Sequence, residues 1–416
     1  MFTVLRYTPF LYFAYRVFLD LIYIAFQNPI FSYMGYDLDI DIIKLIISYT
    51  LLIILIFFIP KHEKRVSSLI LQLHFIIIII PMTCLYSMAN FSSIFMFMIF
   101  FGFLMQILLL ELLPNIKLPK IKHIKPIFIC FIFITTIATY TYLFLTQSIN
   151  ISAFDFKGIY EIREDQLVHF PFGYLITWQY RIINPLLIIY FFINKKYKIM
   201  ILIVIAQIIM YTMYPHKEVF LAIGYLFLLL FLYKKKIKFS LVFLWLMPII
   251  SILTSLIYKF SSELIYYAII PSRLLFGPAK IKFQHYDFFS MFEKLYFSEG
   301  LIGKLLGIEY PYSVQSGYVV SLHNGFDSNS NTGYIAYAYD NLGFLGIIIM
   351  SFLFVLILKL IDSQTQKIDS KLIFAILGYP MLILNDGDLF TLLLTGGLFI
   401  IILVGFFIDE LVGEKT

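Results

Sequence analysis

The chain has 416 residues, of which 61% are hydrophobic and 13% are charged, and its mean hydropathy is +0.91. This composition excludes a water-soluble globular protein and is typical of a chain whose solvent is the lipid bilayer. The net charge of +6 does not indicate a nucleic-acid partner, because the lysines lie in connectors between apolar segments. Cys84 and Cys130 fall inside apolar segments, where the pair cannot build a disulfide framework or a four-ligand zinc site.

Apolar segments with the length of membrane helices recur along the whole chain. They predict an all-α polytopic membrane protein, one integral membrane domain over residues 1–416, with about 12 transmembrane helices. The predicted cores are 7–28, 42–60, 69–89, 93–113, 127–147, 172–193, 199–214, 220–233, 239–258, 342–361, 372–384 and 389–408. The first segment lacks a small-residue cleavage site, so we interpret it as a retained helix.

Lysine-rich and acidic connectors alternate along the chain. The basic ones are KHEKR (61–65), KLPKIKHIK (117–125), NKKYK (194–198) and KKKIK (234–238), and the acidic ones include YDLDID (36–41) and NDGD (385–388). This positive-inside pattern predicts that both termini are cytoplasmic. A third outer loop, 148–171, and a large outer loop between spans 9 and 10, 259–341, would then face outward.

The predicted cytoplasmic connectors are too short for a nucleotide-binding domain, which argues against ATP or a nucleotide sugar as a reactant. The chain also has no Gly-rich phosphate loop. Chemistry is therefore expected at the outer face. The polar, aromatic-rich segment 259–341 is the first place to look, because it is too long for a simple connector.

Arginine is scarce in this lysine-rich chain. A structural and a functional role can be weighed for four of the arginines, and we assign no function to Arg16. Arg16 precedes Asp20 by one helical turn, which predicts an intrahelical pair. Arg181 lies inside the sixth predicted span without an acidic neighbour, so it should face a polar cavity or a partner helix. Arg163, in GIYEIRED, has acidic neighbours, and structural and binding roles are equally open. Arg273, in IIPSRLLFGPAK, has none and is our first candidate for gripping phosphate with two donors.

The connector YPHKEVF (214–220) places His216 and Lys217 at the end of a predicted span. Both are candidates for substrate binding, although a solvated hairpin explains them equally well.

A second polar cluster precedes the tenth predicted span and contains His323, Asp327 and Asn331. A histidine can take a proton from a sugar hydroxyl near neutral pH, and a carboxylate can orient it or act as the base itself. We favour a catalytic role for His323 and Asp327 and substrate binding for Asn331. The alternative is a polar loop that caps the following helix.

Acidic turns and loop tyrosines allow two further interpretations. Asp37, Asp39 and Asp41, or Asp386 with Asp388, carry oxygens suited to magnesium or calcium, but such turns are more often simply solvated, and no metal is predicted. Tyrosines of the large outer loop, among them Tyr286, can stack on sugars or belong to an interfacial aromatic belt.

This layout resembles the O-antigen and capsule polymerases of the Wzy type, also called oligosaccharide repeat-unit polymerases. The matching stretches are IYEIRED, WQYRIINPLLI, YPHKEVF, PSRLLFGPAKIKFQHYDFF and DSNSNTGYIAYAYDNLGFLG, within the C-terminal two-thirds. The resemblance implies a helical membrane glycosyltransferase of the bacterial inner membrane that needs no metal or other cofactor. It would transfer a growing glycan from undecaprenyl pyrophosphate to an incoming lipid-linked repeat unit.

The resemblance also implies roles for particular residues and partners. Arg163 and Arg273, joined by Lys217, would handle the pyrophosphates, and His323 matches the histidine of an HN pair in the related O-antigen ligases. Glu218 stands where the family pattern has a small hydroxyl residue. The implied partners are lipid-linked oligosaccharides, the bilayer, a flippase and a chain-length regulator.

Two rival functions fit the same sequence features. One is an O-antigen ligase, or another lipid-sugar glycosyltransferase that uses a metal at the 37–41 carboxylates. The other is a transporter such as a flippase for lipid-linked sugars, because about twelve spans is also a common transporter count. The asymmetric outer loop and the absence of a visible repeat argue against the transporter.

Overall fold

The computed structural model describes residues 2–116, 124–154, 166–366 and 368–406. Within these ranges the chain is helical and forms no β-sheet, and an isolated bridge pairs Asp39 with Ala89. The N-terminal helices are α1 (Phe2–Ile22, continuing as Tyr23–Gln27 and Asn28–Phe31), α2 (Ile42–Phe58), α3 (Val66–His74, Phe75–Ile79 and Ile80–Met88), α4 (Ser93–Leu112), α5 (Ile124–Thr146), α6 (Phe172–Trp178, Gln179–Ile183 and Asn184–Ile193), α7 (Tyr197–Met213), α8 (Lys217–Lys234) and α9 (Phe239–Ser261).

The C-terminal helices complete the described fold. They are α10 (Leu264–Tyr267, Ala268–Phe276 and Gly277–Met291), α11 (Leu301–Leu306), α12 (Ser316–His323), α13 (Tyr334–Gln364), α14 (Ser370–Leu382, extended by a 3₁₀ turn Ile383–Asn385), α15 (Leu389–Leu393) and α16 (Leu398–Gly405).

Seven helices of the described chain are long and apolar enough to cross a membrane. They are Thr8–Met34, Val66–Met88, Ser93–Leu112, Ile124–Thr146, Phe172–Ile193, Phe239–Ser261 and Tyr334–Gln364, and shorter apolar helices span Ile42–Phe58, Tyr197–Met213 and Ser370–Asn385. This confirms the prediction of an all-helical, polytopic membrane protein.

The stretch 259–341 differs from a simple loop, because it contains α10, α11, α12 and the start of α13. Helix α13 begins at Tyr334, before the predicted span core at Leu342, and its backbone leaves helical geometry at Leu342 and Gly343. Gly343 has φ +62°, a left-handed conformation that glycine tolerates at low cost. The hydrophobic pattern of the sequence did not predict α10 as a helix. Charged residues lie on several of its sides and interrupt the apolar stripe that is typical of an amphipathic helix.

Helices α1, α3, α6 and α10 each contain a π-helical segment that ends two residues before a proline. The four prolines are Pro29, Pro81, Pro185 and Pro278. A proline inside a helix lacks an N–H and clashes with the carbonyl four residues earlier. The wider π turn gives that carbonyl room, so the helix continues past the proline.

Helix α3 is the centre of the described fold, because its whole apolar window is buried. A helix that is apolar on all sides is stable only when other helices surround it. The last part of α10 lies across the end of α3 and α4 that carries the 89–92 connector. There Phe283 stacks on Phe91 and Tyr286 stacks on Phe95, each with ring centroids 4.7 Å apart.

Candidate functional site

Helix α10 brings an unusual set of polar side chains into the protein. Lys282 and His285 are completely buried, and Lys280 is only 6% exposed. Burying a charge is costly unless it finds partners. We call these three residues, with Asp340 and Asn385, the α10 cluster.

Lys282 joins α10 to the end of α14. Its Nζ donates to Asn385 O (2.6 Å), Asn385 Oδ1 (3.0 Å) and Pro278 O (3.2 Å). Burial lowers the pKa of Lys282 to about 8, and Asp386 opposes this shift. Burial likewise raises the pKa of Asp386 to about 6, opposed by Lys282. The two groups are therefore electrostatic partners at the junction of α10 and α14.

Two further lysines are held over aromatic rings. Lys280 donates to Met34 O, and its Nζ lies 4.7 Å from the ring centroid of Tyr36. Lys294 Nζ lies 3.7 Å from the ring centroid of Tyr339. Burial lowers the pKa of each lysine to about 8. The region around α10 thus carries three cationic groups in a poorly hydrated setting.

His285 and Asp340 form a buried pair between α10 and α13, with 2.8 Å between Nδ1 and Oδ2. His285 Nε2 lies 3.3 Å from Ser330 Oγ, and that hydroxyl donates to Gly317 O (2.8 Å). Because the Ser330 proton is used, Nε2 must be the donor towards Ser330. Nδ1 and Asp340 therefore share one proton. Asp340 Oδ1 is buried and accepts no hydrogen bond from the described residues.

A second cluster joins α6 to α8. Arg181 Nη2 donates to Glu218 Oε2 (2.5 Å), which also accepts from Tyr180 OH (2.9 Å). The Arg181 side chain is 12% exposed and that of Glu218 is 45% exposed. Arg181 Nε is buried without a hydrogen-bond partner among the described residues. We call Tyr180, Arg181 and Glu218 the Arg181 cluster.

The α10 cluster and the Arg181 cluster are neighbours, because one carboxylate interacts with both. Asp386 interacts electrostatically with both Lys282 of the α10 cluster and Glu218 of the Arg181 cluster. His216 also interacts with Glu218 and stacks on Tyr214, with 4.0 Å between ring centroids. The predicted binding residues Arg181 and His216 therefore both interact with the Glu218 carboxylate, and Lys217 precedes Glu218 at the start of α8. The expectation that Arg181 faces a polar cavity or a partner helix is confirmed by its ion pair with α8.

The three predicted catalytic residues lie in different parts of the fold: Arg273 in α10, His323 in α12 and Asp327 in the segment that follows α12. Arg273 is exposed and lies in the π segment of α10. His323 is exposed at the end of α12 and packs against Phe288 and Phe292, with ring centroids 5.3 and 5.6 Å away. Asp327 accepts a hydrogen bond from the hydroxyl of Tyr318.

The carboxylate that interacts with His323 belongs to α10. Burial raises the pKa of Asp287 to about 6, and His323 opposes this shift. In the described residues no hydrogen bond joins His323 to Asp327, so the predicted pairing of these two is not formed. Asp287 is a carboxylate whose charge interacts with His323.

The remaining predicted binding residues lie apart. Tyr286 is 8% exposed and stacked on Phe95, so its ring packs in the core and leaves little surface for a sugar. Asn331 is exposed in the segment leading to α13. Arg163 lies outside the described residues.

The acidic turns have structural roles. The carboxylates of Asp41 and Asp388 cap the N-termini of α2 and α15, and Asp39 accepts a hydrogen bond from Asn90 (2.8 Å). In the described ranges no group of three or more His, Cys, Asp or Glu side chains is arranged to hold a metal ion.

Sequence reasoning missed Lys280, Lys282, His285 and Asp340. A signal was present in FGPAKIKFQHYDFF, where charged residues stand on several sides of an otherwise aromatic helix. Buried charged residues need partners, and here the partners come from distant parts of the chain. The sequence alone does not identify those partners.

No family model, curated protein or solved structure matches this chain. Chemically, the two clusters place cationic donors close to carboxylates, and donors that those carboxylates do not use are suited to binding a phosphate-bearing ligand.

Proposed function

We propose that this protein polymerises undecaprenyl-pyrophosphate-linked oligosaccharide repeat units by glycosyl transfer at the outer leaflet. The observation that carries the proposal is Arg181, whose guanidinium keeps donors that its partner Glu218 does not use. An arginine with donors left over is suited to a phosphate, which accepts two parallel hydrogen bonds.

The proposed topology has twelve membrane crossings, cytoplasmic termini and an outward 259–341 segment in a bacterial inner membrane. The alternation of basic and acidic connectors supports this orientation. With it, the α10 cluster and the Arg181 cluster lie at the outer side, where a lipid-linked sugar would arrive after being flipped.

In the proposed reaction, a hydroxyl of the incoming repeat unit attacks the anomeric carbon of the growing glycan. A new glycosidic C–O bond forms while the bond to the pyrophosphate breaks, and undecaprenyl pyrophosphate leaves. Arg181 and Arg273 would bind the leaving pyrophosphate, whose negative charge grows in the transition state. Arg163, His216 and Lys217 are proposed to contribute to donor binding.

His323 is proposed to accept the proton of the attacking hydroxyl, with Asp287 as its carboxylate partner and Asp327 as the alternative base. The exposure of His323 beside two aromatic rings supports contact with a sugar. His323→Gln keeps much of the side chain's hydrogen-bonding shape but cannot ionise near neutral pH. The variant should stay abundant and bind donor while extension falls on the order of 10²-fold or more. Near-normal extension would remove His323 from the mechanism.

The test of the function uses purified protein in detergent with lipid-linked repeat units and no other enzyme. A polymerase lengthens the glycans, which appear as a ladder on a gel. An O-antigen ligase would instead require a lipid A core acceptor, and loss of activity in a chelator would favour the metal-dependent rival.

A flippase is the second candidate. The charges of Arg181, Glu218, Asp386 and Lys282 come from four elements and interact in sequence, as ionisable groups do in transport pathways. A transporter needs a sealed membrane and cannot lengthen glycans in detergent. Transport into sealed vesicles without extension in detergent would therefore favour this alternative.

A further inference from the structure

An apolar cavity of about 260 Å³ lies between α5, α6 and α14. Its walls include Phe128, Ile129, Leu186, Ile189 and Ile376. Ile129 is 50% exposed, so the cavity opens on the side of the helix bundle that would face the lipid chains. This apolar, lipid-facing cavity is suited to binding a hydrocarbon chain.

A second cavity, of about 440 Å³, adjoins the first, because Ile193 and Ile368 line both. This neighbour has a different character, since Lys195, Lys234 and Asp369 line it. The ammonium of Lys234 is held over rings in the same wall, 5.0 Å from the centroid of Phe192 and 5.6 Å from that of Tyr197. Lys125 stands at the first cavity. Hydrocarbon-lined space therefore continues into a basic pocket.

Asp369 does not neutralise the positive charge of the second cavity. Its carboxylate accepts a hydrogen bond from Lys371 N (2.9 Å) and caps α14. Lys195 and Lys234 thus share their pocket with one carboxylate, and that carboxylate already stabilises a helix end.

We propose that the joined cavities bind one anionic glycerophospholipid, with an acyl chain between α5, α6 and α14 and the phosphate beside Lys195 and Lys234. Basic pockets between membrane helices bind anionic headgroups in this way. Lys195 and Lys234 belong to the lysine-rich connectors 194–198 and 234–238. Because both connectors are predicted to be cytoplasmic, this lipid would lie in the inner leaflet.

The position argues against the polyprenyl donor as the occupant. Asp369 begins α14 and Asp386 follows its other end, which separates the basic pocket from the Arg181 cluster by about 25 Å along the helix. A donor whose pyrophosphate is held near Arg181 cannot also place it in this pocket. This exclusion of the donor rests on the proposed function, whereas the lining of the two cavities is independent of it.

Native mass spectrometry of the full chain in detergent tests the site with phosphatidylglycerol and phosphatidylcholine that carry identical acyl chains. The wild-type protein should bind one phosphatidylglycerol at least about tenfold more tightly than phosphatidylcholine, a difference of about 1.4 kcal/mol. The double variant Lys195→Gln, Lys234→Gln should lose this preference. The matched control Lys235→Gln, Lys236→Gln removes the same charge from residues that line neither cavity, and it should keep the preference.

A third variant tests the apolar part of the site. Ile129→Trp enlarges a half-exposed side chain at the cavity opening and should weaken the binding of both lipids without unfolding the helix bundle. Equal binding of the two lipids by the wild type would overturn the proposal. So would equal losses in the test and control double variants, or displacement of phosphatidylglycerol by equimolar undecaprenyl phosphate.

Discussion

Arg16 and Arg181 are both arginines inside membrane helices, yet their surroundings differ. Arg16 is completely buried and makes five hydrogen bonds, two to Thr83 and one each to Asp20, Ser48 and Ser87. Arg181 is partly exposed and makes one, to Glu218. All three guanidinium nitrogens of Arg16 donate to groups of the protein, whereas Arg181 keeps donors that Glu218 does not use. From this difference we expect Arg16 to stabilise the fold, and of the two we propose a ligand-binding role for Arg181 alone.

The largest expected effect concerns Arg16. Arg16→Met would leave Asp20 in the interior without its cation, which typically costs about 3–5 kcal/mol of unfolding free energy. The variant should accumulate poorly and melt at a much lower temperature in detergent. The double variant Arg16→Met, Asp20→Asn should recover part of the loss, because no charge is left unpaired. A single variant that melts like the wild type would contradict a structural role.

The same kind of change at Arg181 should affect function instead. Arg181→Lys keeps the positive charge beside Glu218 but loses the planar fork of donors. The rate of glycan extension should therefore fall on the order of 10²–10³-fold. Abundance and melting temperature should stay close to those of the wild type. The ladder of glycans, normalised to protein in the membrane, is the measurement.

Arg65→Lys is the matched control for this prediction. Arg65 and Glu111 form an exposed ion pair of 3.1 Å, and such pairs contribute little. Equal activity of the Arg181 and Arg65 variants would show that Arg181 does not grip the pyrophosphate.

Lys282 resembles Arg16, because its ammonium is buried and engaged with three acceptors. Its folded-state pKa of about 8 lies below the ordinary lysine value. Between these values the unfolded chain binds a proton that the folded chain does not, so the unfolding free energy should rise with pH. Below about pH 8 both states are protonated and this contribution is constant.

The variant Lys282→Met removes this titration. The wild type should therefore gain on the order of 1–3 kcal/mol relative to the variant between pH 8 and 10.5. Thermal unfolding in detergent at pH 7, 8.5 and 10 measures the difference, and Lys235→Met, at an exposed lysine, should show no such trend. Parallel pH curves for the wild type and Lys282→Met would contradict the lowered pKa.

The sequence predicted the parts of this fold that depend on local patterns. Long apolar segments marked the membrane helices, and the spacing of Arg16 and Asp20 marked their pair, which is confirmed. The other partners of Arg16, such as Ser48 and Thr83, come from α2 and α3, so no local pattern could name them.

The candidate site depends almost entirely on contacts between distant residues. His285 pairs with a carboxylate 55 residues away, and Lys282 contacts an asparagine 103 residues away. Helix α10 also lacks an apolar stripe, so it was predicted as part of a loop. Arg181 could be singled out because a lone charge in an apolar span needs a partner, but the sequence did not identify Glu218 as that partner.

The π segments before Pro29, Pro81, Pro185 and Pro278 change the phase of four helices. A π turn takes one residue more than the regular repeat, which rotates everything that follows by about 100°. In α6 the π segment Gln179–Ile183 contains Arg181, which faces α8, and precedes Ile189, which lines the apolar cavity against α5. A helical wheel drawn straight through the segment would assign these residues to the wrong sides. A relative with regular helices would therefore align only after a single-residue gap just upstream of each proline.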